Sequence, residues 1–281
     1  MPSLAQRLAD AANRLAAVTE TPRLDAEILL AHALGISRAG LLARLTESLE
    51  VEGFDAMLER RLAFEPIAYI LGEWEFYSLD FEVAPPVLVP RPETEHLVEV
   101  VLEEISDKSL RVLELCTGSG CVAVAIAGNA PHCRIVATDS NARALQVARR
   151  NAARHGVSGR VAFVCMDLYA GLGAESALFE AVCANPPYVE EGAWPELSPV
   201  IRRHEDPHAL LAGKDGLAVI RRIIAGAGRV LAPGGLLAFE IGMGQYDRVS
   251  SLLGEGGYED VRCRRDLSGV KRIAVARRRK V

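Results

Sequence analysis

The sequence predicts a protein of the α/β class, in which a parallel β-sheet covered by helices follows a small helical domain. From about residue 110 onward, near-continuous apolar strands alternate with helical segments. Such alternation is typical of a parallel sheet with helices on both faces. Before it, residues 1–71 contain only helical patterns, with apolar residues recurring every three or four positions.

The composition is that of a globular protein, since 50% of the 281 residues are hydrophobic and 25% are charged. The formal net charge of −5 argues against a general field that attracts nucleic acid, so we expect no stable nucleic-acid binding. No segment approaches the roughly 20 apolar residues that span a bilayer, and the N-terminus lacks the apolar core of a signal peptide. We therefore expect a cytoplasmic protein with no membrane partner.

Six cysteines are scattered along the chain without a CxxC pair, so the sequence predicts no metal site. Most of them lie in apolar runs, where a free cysteine behaves as a small hydrophobic residue. We interpret them as reduced and structural.

Three regions follow one another along the chain. Residues 1–71 are predicted to form a helical bundle that docks a substrate, with Pro66 stopping its last helix. Residues 72–90 alternate apolar and polar side chains and end in prolines, which predicts a β-hairpin linker. Residues 91–281 form the α/β domain, and its last two strands are joined by a loop that suits only an antiparallel hairpin.

A glycine-bearing turn, "LELCTGSGC" (113–121), joins the first strand of this domain to its helix. Glycine there lets backbone N–H groups and the helix N-terminus approach a ligand. Asp139 ends the next strand about 20 residues later, where a carboxylate can accept both hydroxyls of a ribose. Its alternative role is a helix N-cap, which Ser140 or Asn141 can supply instead. A nicotinamide cofactor and S-adenosylmethionine both carry a ribose, so these residues do not separate them.

Two further acidic residues favour S-adenosylmethionine. Glu114 lies inside the first strand, just before the turn, where it suits the amino-acid end of S-adenosylmethionine, directly or through water, better than a pyrophosphate. Asp167 ends the third strand in "VCMDL" (164–168), where its side chain or the backbone of Leu168 can meet the adenine. The carboxyl ends of parallel strands share one edge, so all these groups are expected beside the crevice where the strand order switches.

The stretch "NPPY" (185–188) ends the fourth strand at the same edge. A strand-ending turn is one explanation, since proline ends strands and Asn favours turns. A pocket for a planar nitrogen is the other, and we favour it. The Asn185 side-chain oxygen and the Pro186 carbonyl can accept both N–H bonds of such a nitrogen and aim it at a methyl donor. Pro187 keeps that backbone rigid, and Tyr188 can stack on the flat group.

Several motifs together resemble one family. "NPPY", "ELCTGSG" (114–120), "VLVPRPETE" (87–95) and "EPIAYILGEWEFYSLDFEV" (65–83) are similar to the peptide chain release factor glutamine methyltransferases (HemK/PrmC family). The resemblance extends through "EDPHALLAGKDGL" (205–217) and "RRDLSGVKRIAVAR" (264–277), and so covers nearly the whole chain.

The resemblance implies a seven-stranded, Rossmann-like methyltransferase sheet and S-adenosyl-L-methionine as cofactor. It implies methylation of the glutamine side-chain amide in the Gly-Gly-Gln motif of class I release factors, by a protein we expect to be monomeric. Asn185, Pro186 and Tyr188 are then the catalytic residues, and these three with Pro187 bind the substrate. The cofactor-binding residues are Glu114, Cys116, Thr117, Gly118, Ser119, Gly120, Asp139, Asp167, Leu168 and Asn185. The family usually has glycine where this chain has Cys116.

Four alternatives stay open at this point. "NPPY" is shared with adenine-amino methyltransferases acting on DNA, and "CTGSGC" with ribosomal-protein glutamine methyltransferases. A nicotinamide oxidoreductase fits the glycine turn and Asp139. A non-enzymatic protein that binds release factors fits if the Cys116 side chain closes the loop.

Overall fold

The computed structural model describes residues 1–104, 110–173 and 179–280. The chain separates into two compact units: residues 1–73 with 197–205, and residues 74–196 with 206–281. The sequence did not assign residues 197–205 to the helical unit. The predicted boundaries after residues 71 and 90 remain a proposal.

The first unit is helical, as its apolar periodicity predicts. Its helices are α1 (Leu4–Leu15), α2 (Pro22–Ala33), α3 (Arg38–Ala43), α4 (Phe54–Leu62), α5 (Ile67–Leu71) and α9 (Pro199–His204). Ser3 caps α1 in a capping box with Gln6, and Pro22 occupies the first turn of α2. The prediction that Pro66 stops the last helix is wrong: α4 already ends at Leu62, and Pro66 is the N-cap of α5. Leucines from α1, α2 and α4 form the core. Beside that core, Arg61 and Asp25 form a buried ion pair with an N–O distance of 2.8 Å.

The second unit contains a hairpin and a large sheet. The hairpin pairs β1 (Glu73–Phe76) with β2 (Leu79–Glu82). The strands of the sheet are β3 (Arg111–Leu115), β4 (Arg134–Asp139), β5 (Val161–Cys165), β6 (Phe179–Ala184), β7 (Leu231–Glu240), β8 (Tyr258–Arg265) and β9 (Lys271–Arg278). Its helices are α6 (Glu95–Glu104), α7 (Cys121–Asn129), α8 (Ala142–Arg154), α10 (Ala218–Val230) and α11 (Tyr246–Glu255).

The large sheet has seven strands in the order β5-β4-β3-β6-β7-β9-β8. Neighbouring strands from β5 to β7 are parallel, and β9 is antiparallel to both β7 and β8. These observations confirm the predicted fold class and the antiparallel last strand. Helix α7 packs between α6 and α8, while α10 packs on α11 and β7.

The chain runs from the central strand β3 outward to β4 and β5, and then returns to β6 on the other side of β3. Leu115 at the end of β3 is in register with Ala184 at the end of β6. The turn after β3 and the "NPPY" segment after β6 therefore leave neighbouring strands at the same edge. In open α/β sheets, ligands bind in the crevice at such a switch point.

Candidate active site

The turn after β3, residues Cys116–Gly120, is called here the cofactor loop. Three of its residues have left-handed backbone angles: Cys116 with φ 59°, Gly118 with φ 54° and Gly120 with φ 78°. A Cβ added at Gly118 would meet no atom within 4 Å, so this glycine borders open space. A Cβ at Gly120 would lie 2.9 Å from the Cβ of Ala148 in α8, so only glycine lets that helix pack so closely.

Glu114 is a buried carboxyl group, 2% exposed, at the base of the cofactor loop. Its Oε2 accepts a 2.6 Å hydrogen bond from the Thr117 hydroxyl. Burial raises the pKa of Glu114 to about 8, with a smaller contribution from the charge of Asp139. Such a carboxyl group is ready to ionise when a positive charge arrives beside it.

Asp139 links the end of β4 to the cofactor loop. Its Oδ2 accepts from the backbone N–H of Gly118 at 2.9 Å, and its Oδ1 accepts from that of Asn141 at 2.8 Å. The N-cap of α8 is Asn141, whose side chain accepts from the N–H of Arg143. Burial raises the pKa of Asp139. The carboxylate is therefore held beside the open space at Gly118.

The residues after β5 differ from one another in their surroundings. Asp167 is exposed and its carboxylate forms a 2.7 Å ion pair with Arg222. Leu168 is buried and has a φ of 51°. The side chain of Asp167 is thus already paired with a cation.

The "NPPY" segment is fixed by residues that the sequence analysis missed. Asn185 Nδ2 donates to the hydroxyl of Thr94 at 3.0 Å. That hydroxyl donates to Oε2 of Glu240 at 2.6 Å, and the Tyr188 hydroxyl donates to Oε1 of the same carboxyl group at 2.9 Å. The side-chain amide of Gln245 donates to the carbonyl of Tyr188 at 2.9 Å.

One signal in the sequence points to Glu240. It stands at the end of the apolar run "LLAFEIG" (236–242), much as Glu114 stands in the apolar strand β3. A carboxyl group in a buried strand needs hydrogen-bond donors, and such groups concentrate at functional sites. Thr94 and Gln245 carry no comparable signal, because their roles depend on partners far away in the sequence.

The described residues offer neither a cluster of metal ligands nor a helix suited to a membrane. Within residues 1–104, 110–173 and 179–280, no group of three or more His, Cys, Asp or Glu side chains is arranged to hold a metal ion. Across the same residues, none of the helices combines the length and the apolar character that crossing a membrane requires.

Comparison with known proteins identifies the family. Residues 6–72 match the model of the PrmC N-terminal domain, and residues 93–197 match the methyltransferase small domain. A release factor glutamine methyltransferase of Coxiella burnetii is 40% identical over 99% of this chain and 100% of its own length. The chain belongs to the release factor glutamine methyltransferase family. Another member, from Burkholderia pseudomallei, is 44% identical over 90% of this chain and 91% of its own.

Solved structures show the same fold in more distant proteins. A methyltransferase from Pyrococcus furiosus superposes with a TM-score of 0.55 at 19% identity, covering 80% of this chain and 99% of its own. A ribosomal protein L11 methylase from Lactobacillus delbrueckii superposes with a TM-score of 0.50 at 21% identity, covering 71% and 84%. At these identities the likeness concerns the fold alone. The release factor glutamine methyltransferase family thus shares its sheet with methyltransferases of other kinds.

Proposed function

We propose that the protein transfers a methyl group from S-adenosyl-L-methionine to a glutamine side-chain amide in class I peptide chain release factors. The names of relatives about 40% identical over nearly the full length support this acceptor. The glutamine is proposed to be that of the Gly-Gly-Gln motif. The observation that carries the proposal is the orientation of Asn185: its amide nitrogen is bound to Thr94, so its oxygen is available to a substrate N–H.

The residues of the cofactor loop fit S-adenosyl-L-methionine. The open space at Gly118 admits a ligand close to the backbone, and Asp139 presents a carboxylate beside it for the ribose hydroxyls. Glu114 supplies a neutral carboxyl group that can ionise beside the ammonium of the cofactor. Thr117 and Ser119 keep the turn in place through buried hydrogen bonds. When bound, the cofactor supplies an electrophilic methyl group on a sulfonium sulfur.

The acceptor side is built to hold a planar amide. The Asn185 side-chain oxygen and the Pro186 carbonyl accept the two N–H bonds of the glutamine nitrogen. Pro187 has no N–H to compete for those acceptors, and the ring of Tyr188 covers the flat face of the amide. These groups orient the nitrogen toward the methyl carbon, and such orientation can lower a barrier by up to about 7–11 kcal/mol.

No general base is required for this reaction. Bound S-adenosyl-L-methionine would give its methyl group to the nitrogen and keep the electrons of the C–S bond on sulfur, and the nitrogen would become acidic once alkylated. Its proton then leaves to solvent. This agrees with the composition of the "NPPY" segment, which contains no carboxylate and no histidine.

The proposed setting is the cytoplasm, where a monomer acts on release factors. A net charge of −5 argues against DNA as the substrate. An enzyme that methylates a base in DNA must bind the phosphate backbone and flip the base out of the duplex. An adenine in DNA and a ribosomal-protein glutamine are therefore the alternative methyl acceptors with which the release-factor glutamine is compared.

The test offers radiolabelled S-adenosyl-L-methionine together with a release factor, a ribosomal protein and a DNA oligonucleotide, in parallel reactions. We expect label only in the release factor, and none when its Gly-Gly-Gln glutamine is replaced. Asn185→Ala should lower the label by orders of magnitude while cofactor binding is largely kept. Label in DNA, or full activity of Asn185→Ala, would refute the proposal.

Calorimetric titration tests the cofactor separately. We expect binding of S-adenosyl-L-methionine and none of NADH. Asp139→Ala should weaken the binding by about 1.5–3 kcal/mol for each lost hydrogen bond to the charged group. Tight binding of NADH alone would support an oxidoreductase instead.

A further inference from the structure

We propose that Glu240 is a positioning residue which, through Thr94, turns the side-chain amide of Asn185 so that its oxygen faces the acceptor. The inference rests on the proposed function, because it assigns the Asn185 oxygen to a substrate N–H. It concerns the chain Glu240–Thr94–Asn185, called here the amide relay. The three residues come from the end of β7, the turn before α6 and the end of β6.

The first step of the relay is the bond between Glu240 and Thr94. Glu240 is 1% exposed and Thr94 is 2% exposed, so both side chains are shielded from bulk solvent. Burial raises the pKa of Glu240, while the hydroxyls of Thr94 and Tyr188, which both donate to it, favour its ionised form. As a carboxylate it only accepts hydrogen bonds. The 2.6 Å contact between Oε2 of Glu240 and Oγ1 of Thr94 therefore uses the only proton of the threonine hydroxyl.

The second step follows from the first. With its proton given to Glu240, the Thr94 hydroxyl can only accept from Asn185, and only the amide nitrogen of Asn185 can donate. The 3.0 Å contact is thus Nδ2–H to Oγ1, which leaves Oδ1 on the opposite side of the amide. Among the described residues, no donor contacts that oxygen.

The reverse orientation of the Asn185 amide would prevent it from binding the acceptor nitrogen. An Asn185 turned by 180° would present its own NH₂ group to the NH₂ group of the acceptor amide, so that donors would face donors. Asparagine alone has no strong preference between the two orientations. The preference must come from a neighbouring residue, and Thr94, held by Glu240, supplies it.

The same carboxylate also holds the second functional side chain of the segment. Oε1 of Glu240 accepts from the Tyr188 hydroxyl at 2.9 Å. Burial, and then the charge of Glu240, raises the pKa of the Tyr188 phenol, so the phenol keeps its proton and donates it. Glu93 and Arg272 are the charged groups that face Glu240 from the turn before α6 and from β9. One buried acid thus orients both Asn185 and Tyr188.

The relay also gives a role to the stretch "PRPETE" (90–95), for which the sequence analysis found no chemistry. Its threonine carries the hydroxyl on which the orientation of Asn185 depends. Valine has the shape of threonine without the hydroxyl, and serine keeps the hydroxyl without the methyl group. The pair Thr94→Val and Thr94→Ser therefore separates the hydrogen bond from the packing.

The test compares methyl transfer to the release factor by the wild type and the two variants, at saturating S-adenosyl-L-methionine. We expect Thr94→Val to lower kcat by about 10²-fold, the effect of misplacing a group by about 1 Å. Its Kd for the cofactor should stay within three-fold of the wild type, and Thr94→Ser should restore kcat to within about five-fold. An unchanged kcat in Thr94→Val, or equal losses in both variants, would overturn the inference.

A second comparison tests whether Glu240 acts through Thr94. Glu240→Met should lower kcat at least as much as Thr94→Val, because Glu240 also holds Tyr188. The double variant Thr94→Val/Glu240→Met should have a kcat no lower than that of Glu240→Met alone, because both changes break one relay. A double variant whose fold-loss in kcat equals the product of the two single losses would contradict this. Without any substitution, the side-chain NH₂ protons of Asn185 should show through-space NMR contacts to the side chain of Thr94. Their absence overturns the inference even if the variants do not fold.

The wild type in the same assay distinguishes this inference from the function on which it rests. Wild-type protein that labels no release factor refutes the proposed function and the relay with it. Equal labelling by wild type and Thr94→Val refutes the relay alone.

Discussion

The side-chain nitrogen of Asn151 lies 2.9 Å from the carbonyl oxygen of Ser119, inside the cofactor loop. The same nitrogen donates to the carbonyl of Glu82 at 3.0 Å, and Oδ1 of Asn151 accepts from the N–H of Glu82 at 2.7 Å. Asn151 is fully buried. One amide in α8 therefore joins the hairpin strand β2 to the loop after β3.

We predict that Asn151→Ala lowers the free energy of unfolding by about 3 kcal/mol, because three backbone groups lose a buried partner at roughly 1 kcal/mol each. Urea denaturation measures the change. Asn129→Ala is the matched control, since that side chain makes a single, partly buried bond to the carbonyl of Ala125. We expect the control to lose less than about 1 kcal/mol. Equal losses in the two variants would show that the position of Asn151 between the hairpin and the loop is unimportant.

Gly118 and Gly120 should respond differently to alanine. Both have a positive φ, which costs an alanine about 1 kcal/mol. Gly120→Ala also forces a Cβ to within 2.9 Å of Ala148, and such overpacking adds about 1–3 kcal/mol. We expect Gly118→Ala to weaken binding of S-adenosyl-L-methionine with a small loss of stability, and Gly120→Ala to lose more stability. Denaturation measures the two stability losses and calorimetry the binding. Unchanged binding of S-adenosyl-L-methionine by Gly118→Ala would show that the open space at Gly118 is not the cofactor site.

Cys116 has a φ of 59°, a conformation that favours glycine. Cys116→Gly and Cys116→Ala both remove the thiol, and only glycine removes the backbone strain. We predict that the glycine variant is more stable than the alanine variant by about 1 kcal/mol. Thermal denaturation measures that difference.

Activity of the same two variants tests the loop. If the Cys116 side chain closes the cofactor loop, methyl transfer should rise strongly in Cys116→Gly. A change of only a few-fold is the outcome we expect, because the fold of the loop already includes this residue in its left-handed conformation.

The buried Glu114 should make stability depend on pH. Its pKa of about 8 lies above its ordinary value of 4.5, so between these values the folded protein holds a proton that the unfolded chain has lost. Stability therefore falls as pH rises through this window, by up to about 1.4 kcal/mol per pH unit. Glu114→Gln should flatten the decline in urea denaturation between pH 5 and 8. The same slope in both proteins would assign the effect to other groups.

Cofactor binding should release a proton through the same residue. The ammonium of S-adenosyl-L-methionine favours the ionised form of Glu114, which is mostly neutral near pH 7. Calorimetry in two buffers of different ionisation enthalpy counts the protons released. We expect Glu114→Gln to remove most of that release, and an unchanged count would place the ammonium elsewhere.

The sequence predicted the fold because its signals are local. Apolar strands such as β3 and β6 and the helices between them are visible in short windows, and the short loop before β9 settles the direction of the last strand. The same is true of the cofactor loop and the "NPPY" segment, which the structure places on neighbouring strands. Their roles in binding and catalysis stay a prediction.

The part of the site that the sequence analysis missed depends on contacts between residues far apart in the sequence. Thr94 and Glu240 are 146 positions apart, and their hydrogen bond exists only because β7 ends beside the turn before α6. Asn151 and Glu82 are likewise 69 positions apart. Neither pair alters the local hydrophobic periodicity or a turn motif, so local sequence patterns cannot predict these hydrogen bonds.

Helix α9 has a consequence for truncation. The segment 197–205 belongs to the helical unit although it lies far along the chain, after the "NPPY" segment. Within that unit the Arg203 guanidinium sits 4.5 Å from the centre of the Phe64 ring, and His204 contacts the carbonyl of Ala63 at 3.1 Å. Cutting the gene after the hairpin would leave α9 on the catalytic fragment without these partners. The helical unit is therefore built from two separate stretches of the chain, and no single cut can release it whole.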